Sequence, residues 1–271
     1  MYQQAYGSAD HRLFLIMNRN VFIIIPAYNA EKTLASVLDR IPASAQHRIA
    51  CCVILNDGSR DDTQVVAERL ADGRDDLVVL QHAVNRGYGA TEIDLLNYAY
   101  EHGADIVAML HADGQYSPEK LPDILAVFDE QDADIVQGSR MLGGGALEGG
   151  MPMYKFIANK CLTFIENTAF RMDMAEFHSG YMCYSRRFLE SVPYAQLSAS
   201  FDFDLEMLAL AHVGGFKIRE VAIPTIYAHE DSHLNPVTYG LRVLRVVGRH
   251  LSGHYQRLLQ ESSRREEDPS G

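Results

Sequence analysis

The 271-residue chain lacks any surplus of positive charge: 24 Lys and Arg stand against 36 Asp and Glu, a formal net charge of −12. Phosphate backbones demand clustered cations, so nucleic acid is excluded as a general partner. Cysteine is sparse. Cys51, Cys52, Cys161 and Cys183 form no Cys-x-x-Cys pair and have no histidine at metal-ligand spacing. Cys51 and Cys52 lie in an apolar run, the pattern of buried reduced thiols in a cytoplasmic protein. No apolar run reaches the roughly 18 residues that a spanning helix needs. The N-terminus has no convincing basic-then-apolar export pattern, and internal repeats and low-complexity tracts are absent.

What is present suits one large α/β domain, with enough chain to bury a sizeable core. Val21 to Ile25 is a continuous β-branched and aromatic run, as in a buried parallel strand. Pro26-Ala27-Tyr28-Asn29 ends it, and Glu31 to Arg40 reads as a helix. Cys51 to Leu55 is a second strand, closed by Asn56-Asp57-Gly58-Ser59, and Asp61-Asp62-Thr63 opens a helix to about Ala71. Leu77 to Gln81 is a third strand, and Asn85-Arg86-Gly87-Tyr88-Gly89 leads into a helix to about His102. An Asp105 to Leu110 strand follows, then a helix opened by Ser117-Pro118-Glu119, then an Asp134 to Gln137 strand. This alternation predicts a mostly parallel sheet sandwiched by helices.

Beyond it, Tyr154 to Phe170 and Phe201 to Val213 read as helices, Gly180 to Ser185 and Phe216 to Ile223 as strands. A closing amphipathic helix over 236–261 puts Leu241, Leu244, Leu251, Tyr255 and Leu258 on one face, with Arg242, Arg245, Arg249 and Gln256 on another. Such a helix packs on its own domain, lies on an anionic membrane, or grips a partner subunit in a homo-oligomer. The expected organisation is a flexible leader over 1–20, the main domain over 21–235, this helix, and a disordered tail over 262–271.

The densest chemical signal is Met109-Leu110-His111-Ala112-Asp113-Gly114-Gln115. An apolar strand delivers a carboxylate and an amide to its C-terminal end, the edge where open α/β sheets bind ligands. Asp113 and Gln115, two residues apart on an extended segment, can face one hard cation. Mg²⁺ needs only one or two protein carboxylates when substrate phosphates complete its shell. An Asp-Gly turn alone reads the same way.

Taken in order, Pro26-Ala27-Tyr28-Asn29-Ala30-Glu31, Asn56-Asp57-Gly58-Ser59 and His111 to Gln115 resemble the GT-A glycosyltransferases of family 2. The likeness is greatest to the dolichyl-phosphate mannosyltransferase branch and its relatives that glycosylate polyprenyl phosphates. It extends over roughly Val21 to Arg249, through Asn85-Arg86-Gly87-Tyr88-Gly89-Ala90, Gly138-Ser139-Arg140, Ser179 to Ser185, Phe201 to Leu208 and Ile223-Pro224-Thr225. It implies a GT-A (Rossmann-like) fold, with Pro26, Ala27, Tyr28, Glu31 and Asp57 around the base and ribose of a nucleotide sugar. Arg86 and Gly87 would lie near its phosphates, with Ala112 beside them, and Arg140 would touch a phosphate of sugar donor or acceptor. Met141 to Met153 resembles a mobile acceptor loop. Ser232 and His233, in His229-Glu230-Asp231-Ser232-His233, fall where relatives close on the diphosphate.

The relatives' metal motif is Asp-x-Asp followed by Gln; here His111 stands at the first acidic position while Asp113 and Gln115 remain. Imidazole suits Mn²⁺ better than Mg²⁺, so His111 is either a third ligand or a group that hydrogen-bonds the nucleotide. Asp202 or Asp204 is placed to serve as general base on an acceptor hydroxyl, a role that an ionised phosphate acceptor does not require. Both, with Glu206, also simply favour a helix N-terminus. The implied activity is inverting hexose transfer from a nucleotide diphosphate sugar (GDP-mannose or UDP-glucose type), with a divalent Mg²⁺ or Mn²⁺ and Arg140 countering the leaving group's charge. The implied acceptor is a polyprenyl phosphate, met by an enzyme peripheral at the inner face of the membrane. A soluble acceptor hydroxyl, and nucleotide-sugar binding without transfer, stay open. A dinucleotide oxidoreductase is set aside because no Gly-x-Gly-x-x-Gly follows the first strand.

Overall fold

A computed structural model describes residues 19–225 and 236–267. Residues 1–18 of the expected leader, residues 268–271 and the His229 to His233 cluster, with Ser232 and His233, lie outside the described residues.

The strands are β1 (Val21–Ala27), β2 (Ile49–Asn56), β3 (Leu77–Gln81), β4 (Ile106–Met109), β5 (Ile135–Ser139), β6 (Met182–Ser185) and β7 (Ile218–Ala222). The helices are α1 (Leu34–Asp39), α2 (Ala43–Gln46), α3 (Thr63–Ala71), α4 (Tyr88–Glu101), α5 (Leu121–Gln131), α6 (Met153–Phe170), α7 (Arg186–Ser191), α8 (Phe203–Val213), α9 (Pro236–Leu251) and α10 (His254–Glu267). The strands form one sheet in the order β3-β2-β1-β4-β6-β5-β7. β1 alternates strictly: Phe22 and Ile24 enter the core on one sheet face, Val21, Ile23 and Ile25 the core on the other. Both faces are covered, as continuous apolar strands require.

Register places the chemistry. β1 pairs in parallel with β2, Ala27 opposite Asn56, and with β4, Ile24 opposite Met109. The chain therefore leaves all three neighbouring strands at one edge, with Asp57 and Asp113 on either side of the Tyr28 loop. β6 runs antiparallel between β4 and β5. Its Met182, Cys183 and Tyr184 are fully buried, so its apolar continuity carries no sign of direction.

The C-terminal region departs from the sequence reading in two ways. The single helix expected over 236–261 is two, broken at Gly253, whose φ of +73° favours glycine, and the second continues to Glu267, into the expected tail. The expected apolar face is also split: its Tyr255 is buried and its Leu258 packs against the core, but its α9 leucines are not covered. Val243, Val246 and Tyr255 are at 0% exposure, whereas Leu241 and Leu251 stand at 64% and 68%. The cause is electrostatic. Arg249 reaches Glu206 of α8 at 2.6 Å and Arg242 reaches Asp202 at 3.1 Å. Glu206, fully buried, also accepts from the Tyr255 hydroxyl (2.8 Å) and the Ser198 amide (2.7 Å). An unpaired buried carboxylate costs far more than a few leucines left in water, so Arg242 and Arg249 turn toward the domain.

All four cysteines are free thiols, Cys52 and Cys183 buried and Cys51 half-buried. R249M is expected to lose about 2 kcal/mol of unfolding free energy, because Glu206 keeps only neutral partners. L244A should stay within about 0.5 kcal/mol of wild type. Urea denaturation of the two variants checks which strip of α9 faces the domain.

Candidate active site

Local hydrogen bonding stitches the first loop to its neighbours. The Ala30 amide donates to Thr63 Oγ1 (2.7 Å) and the Asn29 amide to Ser59 Oγ (2.9 Å). Glu31 accepts from the Asp62 amide at 3.0 Å, so this carboxylate, expected at the nucleotide, orders the second loop. On the other side, Arg40 donates to the Gly114 carbonyl (3.0 Å) and pairs with Glu119 (2.7 Å). The segment from the first loop to the end of α1 thus touches both other loops, and the three converge. Pro26 is half-buried, Ala27 and Ala112 are buried, and the Tyr28 ring, at 39% exposure, is open to a flat partner.

Asp57 is 4% exposed and already bound. Its Oδ1 accepts from His82 Nδ1 (2.7 Å) and the Arg86 amide (2.8 Å), its Oδ2 from the Gly87 amide (2.9 Å). Three donors leave it little capacity for a base N–H. Its first task is to hold the turn at Gly87, where φ is +92°. The Arg86 guanidinium pairs with Asp94 and remains half exposed. No sequence motif points to His82 or Asp94; their signal is a register relation, since His82 directly follows β3.

His111, Asp113 and Gln115 are half-buried at the end of β4. His111 Nε2 lies 3.0 Å from the Gly180 carbonyl oxygen. A carbonyl only accepts, so Nε2 carries a proton, and a neutral imidazole would have its lone pair on Nδ1. Metal-bound imidazoles characteristically give their second N–H to a carbonyl in this way. Tyr88 and Tyr116 pack on the ring, at centroid distances of 5.7 and 4.8 Å. Asp113 Oδ1 accepts from the Gln115 amide at 2.9 Å. Among the described residues no three His, Cys, Asp or Glu side chains form a metal cage. The donor set therefore suits a cation that shares its shell with substrate phosphates.

Arg140, expected at a phosphate, is held within the fold. Its Nε and amide donate to Glu176, at 3.1 and 2.8 Å, its Nη2 pairs more closely with the same carboxylate, and Nη2 also meets the His178 carbonyl at 2.7 Å. Burial pushes the Glu176 carboxyl up, but the Arg140 guanidinium outweighs it and holds the group below its ordinary range. Arg140 thus ties the end of β5 to the 171–180 segment. The loop that follows is anchored as well. Met141, Ala146 and Met151 are buried, and a Cβ on Gly149 would meet the Thr225 carbonyl oxygen at 2.3 Å.

The two candidate bases separate. Asp202 is bound to Ser198 Oγ (2.8 Å) and Arg242 (3.1 Å), as a tether for α9. Asp204 accepts from the Tyr88 hydroxyl at 2.8 Å and neighbours Tyr184, which also meets Glu92 at 3.3 Å. Burial pushes the Asp204 carboxyl up to about 6. Burial and the Asp204 charge raise Glu92 well above its ordinary value. Tyr88 also stacks on Phe201 at 5.4 Å, so Phe201, Tyr88, His111 and Tyr116 form an aromatic row that no motif foretold.

Two outcomes follow from this packing. A Cβ on Gly180 would sit 2.6 Å from His111 Nε2, so G180A should cost about 1–3 kcal/mol and displace the imidazole, seen as a lower melting temperature and a shifted His111 NMR signal. Because its folded-state value lies above the ordinary 3.8, Asp204 contributes stability that is full below that value and lost as pH rises through about 6. D204N should therefore gain on wild type in melting temperature across that same interval as pH is raised.

The glycosyl transferase family 2 model matches residues 22–192. The chain is 27% identical over 219 residues to a UDP-N-acetylglucosamine–dolichyl-phosphate N-acetylglucosaminyltransferase of Methanococcus voltae, covering 76% of this chain and 86% of that protein. It is also 27% identical over 224 residues to polyprenol monophosphomannose synthase of Mycolicibacterium smegmatis, covering 82% and 83%. Among solved structures it resembles Mycobacterium tuberculosis glucosyl-3-phosphoglycerate synthase bound to Mn²⁺, UDP and phosphoglyceric acid. That match has a TM-score of 0.66 and 19% identity, covers 90% of this chain and 82% of that one, and speaks for the fold alone. With its mostly parallel sheet, its three convergent loops and a family match over more than half its length, the chain belongs to glycosyl transferase family 2.

Proposed function

We propose that this glycosyltransferase moves a hexose, with inversion, from a nucleotide diphosphate sugar to a polyprenyl phosphate. The observation that carries the reading is the convergence of the Tyr28, Asp57 and Asp113 loops at one edge of β2, β1 and β4. In this reading the Pro26 to Glu31 loop seats base and ribose, with Tyr28 as the flat contact, and Ala112 lines the floor. Asp113, Gln115 and His111 Nδ1 would hold Mg²⁺ or Mn²⁺, which would counter the charge of the departing nucleotide. Ser232 and His233 would close over the diphosphate. Relatives named for transfer to dolichyl phosphate and for polyprenol monophosphomannose synthesis support the acceptor. So does the state of Asp202 and Asp204, both already engaged; a phosphate acceptor is ionised near neutral pH and needs no base.

A soluble acceptor is the second reading, favoured by the structural neighbour that holds phosphoglyceric acid. Asp204, at about 6, would then be the base.

Peripheral membrane contact belongs to the first reading. No described helix is long and apolar enough to cross a membrane. α6 leaves Tyr154, Ile157 and Phe164 exposed, and α9, packed beside it, leaves Leu241, Leu244 and Leu251 exposed. α9 contains no Asp or Glu, and the one acid of α6, Glu166, is buried. Exposed apolar side chains on helices that also expose Lys160 and Arg245, on a chain of net charge −12, suit anionic headgroups in the cytoplasmic leaflet. In a homo-oligomer formed through the same face those cations would oppose one another.

Thermal shifts with nucleoside diphosphates, with and without Mn²⁺ or Mg²⁺, test the site. One nucleotide should raise the melting temperature above the rest, and D113A should remove the metal-dependent part. An equal response to every nucleotide contradicts the reading. Flotation with anionic vesicles tests the membrane face. Wild-type protein should float, F164D/L241D should stay at the bottom, and flotation unaffected by the variant, or a dimer that it dissociates, counts against lipid.

A further inference from the structure

Resting on that reading of the site, we infer that His82 is a positioning residue for the nucleotide sugar, acting as the internal cation that neutralises Asp57 and Asp94 beside the phosphate loop. The sheet sets its place. The His82 amide donates to the Asn56 carbonyl at 2.9 Å, continuing the β2–β3 ladder and fixing the ring next to Asp57. Nδ1 meets Asp57 Oδ1 at 2.7 Å and Nε2 meets Asp94 Oδ2 at 2.9 Å, with the side chain only 12% exposed. Ionised carboxylates only accept, and a neutral imidazole donates from one nitrogen alone. Both contacts are satisfied together when each ring nitrogen carries a proton.

The contacts close a ring. Asp94 also pairs with the Arg86 guanidinium, and the Arg86 amide donates back to Asp57 at 2.8 Å. Two carboxylates are thereby balanced by two cations. This has a consequence for binding as well as for shape. Asp57 holds the Arg86 and Gly87 amides, so the ring presets the turn at the start of α4 before any ligand arrives. The turn has little slack, since a Cβ on Gly58 would lie 2.5 Å from the Asn85 nitrogen. Without His82 the ring keeps a net negative charge where an anionic diphosphate must approach, and its potential opposes entry. Preorganisation and charge both act on binding of the sugar donor, and neither touches the transferred group.

The test is steady-state kinetics with the nucleotide sugar that the wild-type enzyme uses. H82A should raise its KM about tenfold, the scale seen when partners behind a binding group are removed, with kcat within about threefold. H82A/D94N, which removes the unbalanced charge, should recover much of that loss. A purely structural role would not produce this recovery, because the double variant lacks still more hydrogen bonds. H82Q, which retains a donor and much of the volume, should fall between wild type and H82A and replaces H82A in the comparison if H82A does not fold. A wild-type KM in H82A, a fall in kcat equal to the rise in KM, or a double variant no better than the single one overturns the inference. Wild-type protein that binds no nucleoside diphosphate overturns the proposed function instead. Binding retained unchanged by H82A removes only the role given to His82.

Discussion

The parallel register of β2, β1 and β4 is the constraint on which the site depends. Because Ala27 lies opposite Asn56 and Ile24 opposite Met109, three chain segments leave the sheet side by side at one edge. Nothing in the individual loops requires them to meet; each is short and compatible with an ordinary turn. Burial of β1 on both faces fixes the register, since a slip by one residue would exchange Phe22 and Ile24 with Ile23 and Ile25. Core packing, rather than loop chemistry, brings Asp57 and Asp113 to the two sides of Tyr28.

An acidic chain handles its own charge in a consistent manner. Three of its buried carboxylates serve as connectors, each claimed by donors from a different part of the sequence. Glu206 gathers Arg249, Tyr255 and the Ser198 amide, Glu176 gathers Arg140 and Asn159, and Asp57 gathers His82 and two amides. Each charge so committed is stabilised where it sits and withdrawn from ligand contact. At the rim of β4 the pattern changes: His111 commits only Nε2, to the Gly180 carbonyl, and stands near Asp113 where the other loops meet. Local neutralisation elsewhere leaves this edge as the place where an added cation and an anionic ligand would complete each other.

The alternation of strands and helices and the motif positions were legible in the sequence because they depend on local periodicity and turn chemistry. β1, β2, β3 and β4 appear where the apolar runs predict them, with ends moved by a residue or two. Features set by distant partners were not legible. The antiparallel course of β6 depends on how the chain returns through α6, and a strand buried on both faces reads the same in either direction. Leu241, Leu244 and Leu251 satisfy helical spacing as well as Val243 and Val246 do; Asp202 and Glu206, some forty residues earlier, decide which strip turns inward. The pairing of Arg140 with Glu176, some thirty-six residues later, has no signal in the sequence either. His82 escapes notice because its two partners lie on other elements, after β2 and within α4.

The most direct measurement is a crystal structure of the chain grown with Mn²⁺ and the nucleoside diphosphate that it binds. Difference density for one nucleotide should lie across the ends of β2, β1 and β4, with the base against Tyr28 and the metal bonded to Asp113. Density at any other edge of the sheet, or a metal held by residues remote from β4, would contradict the account.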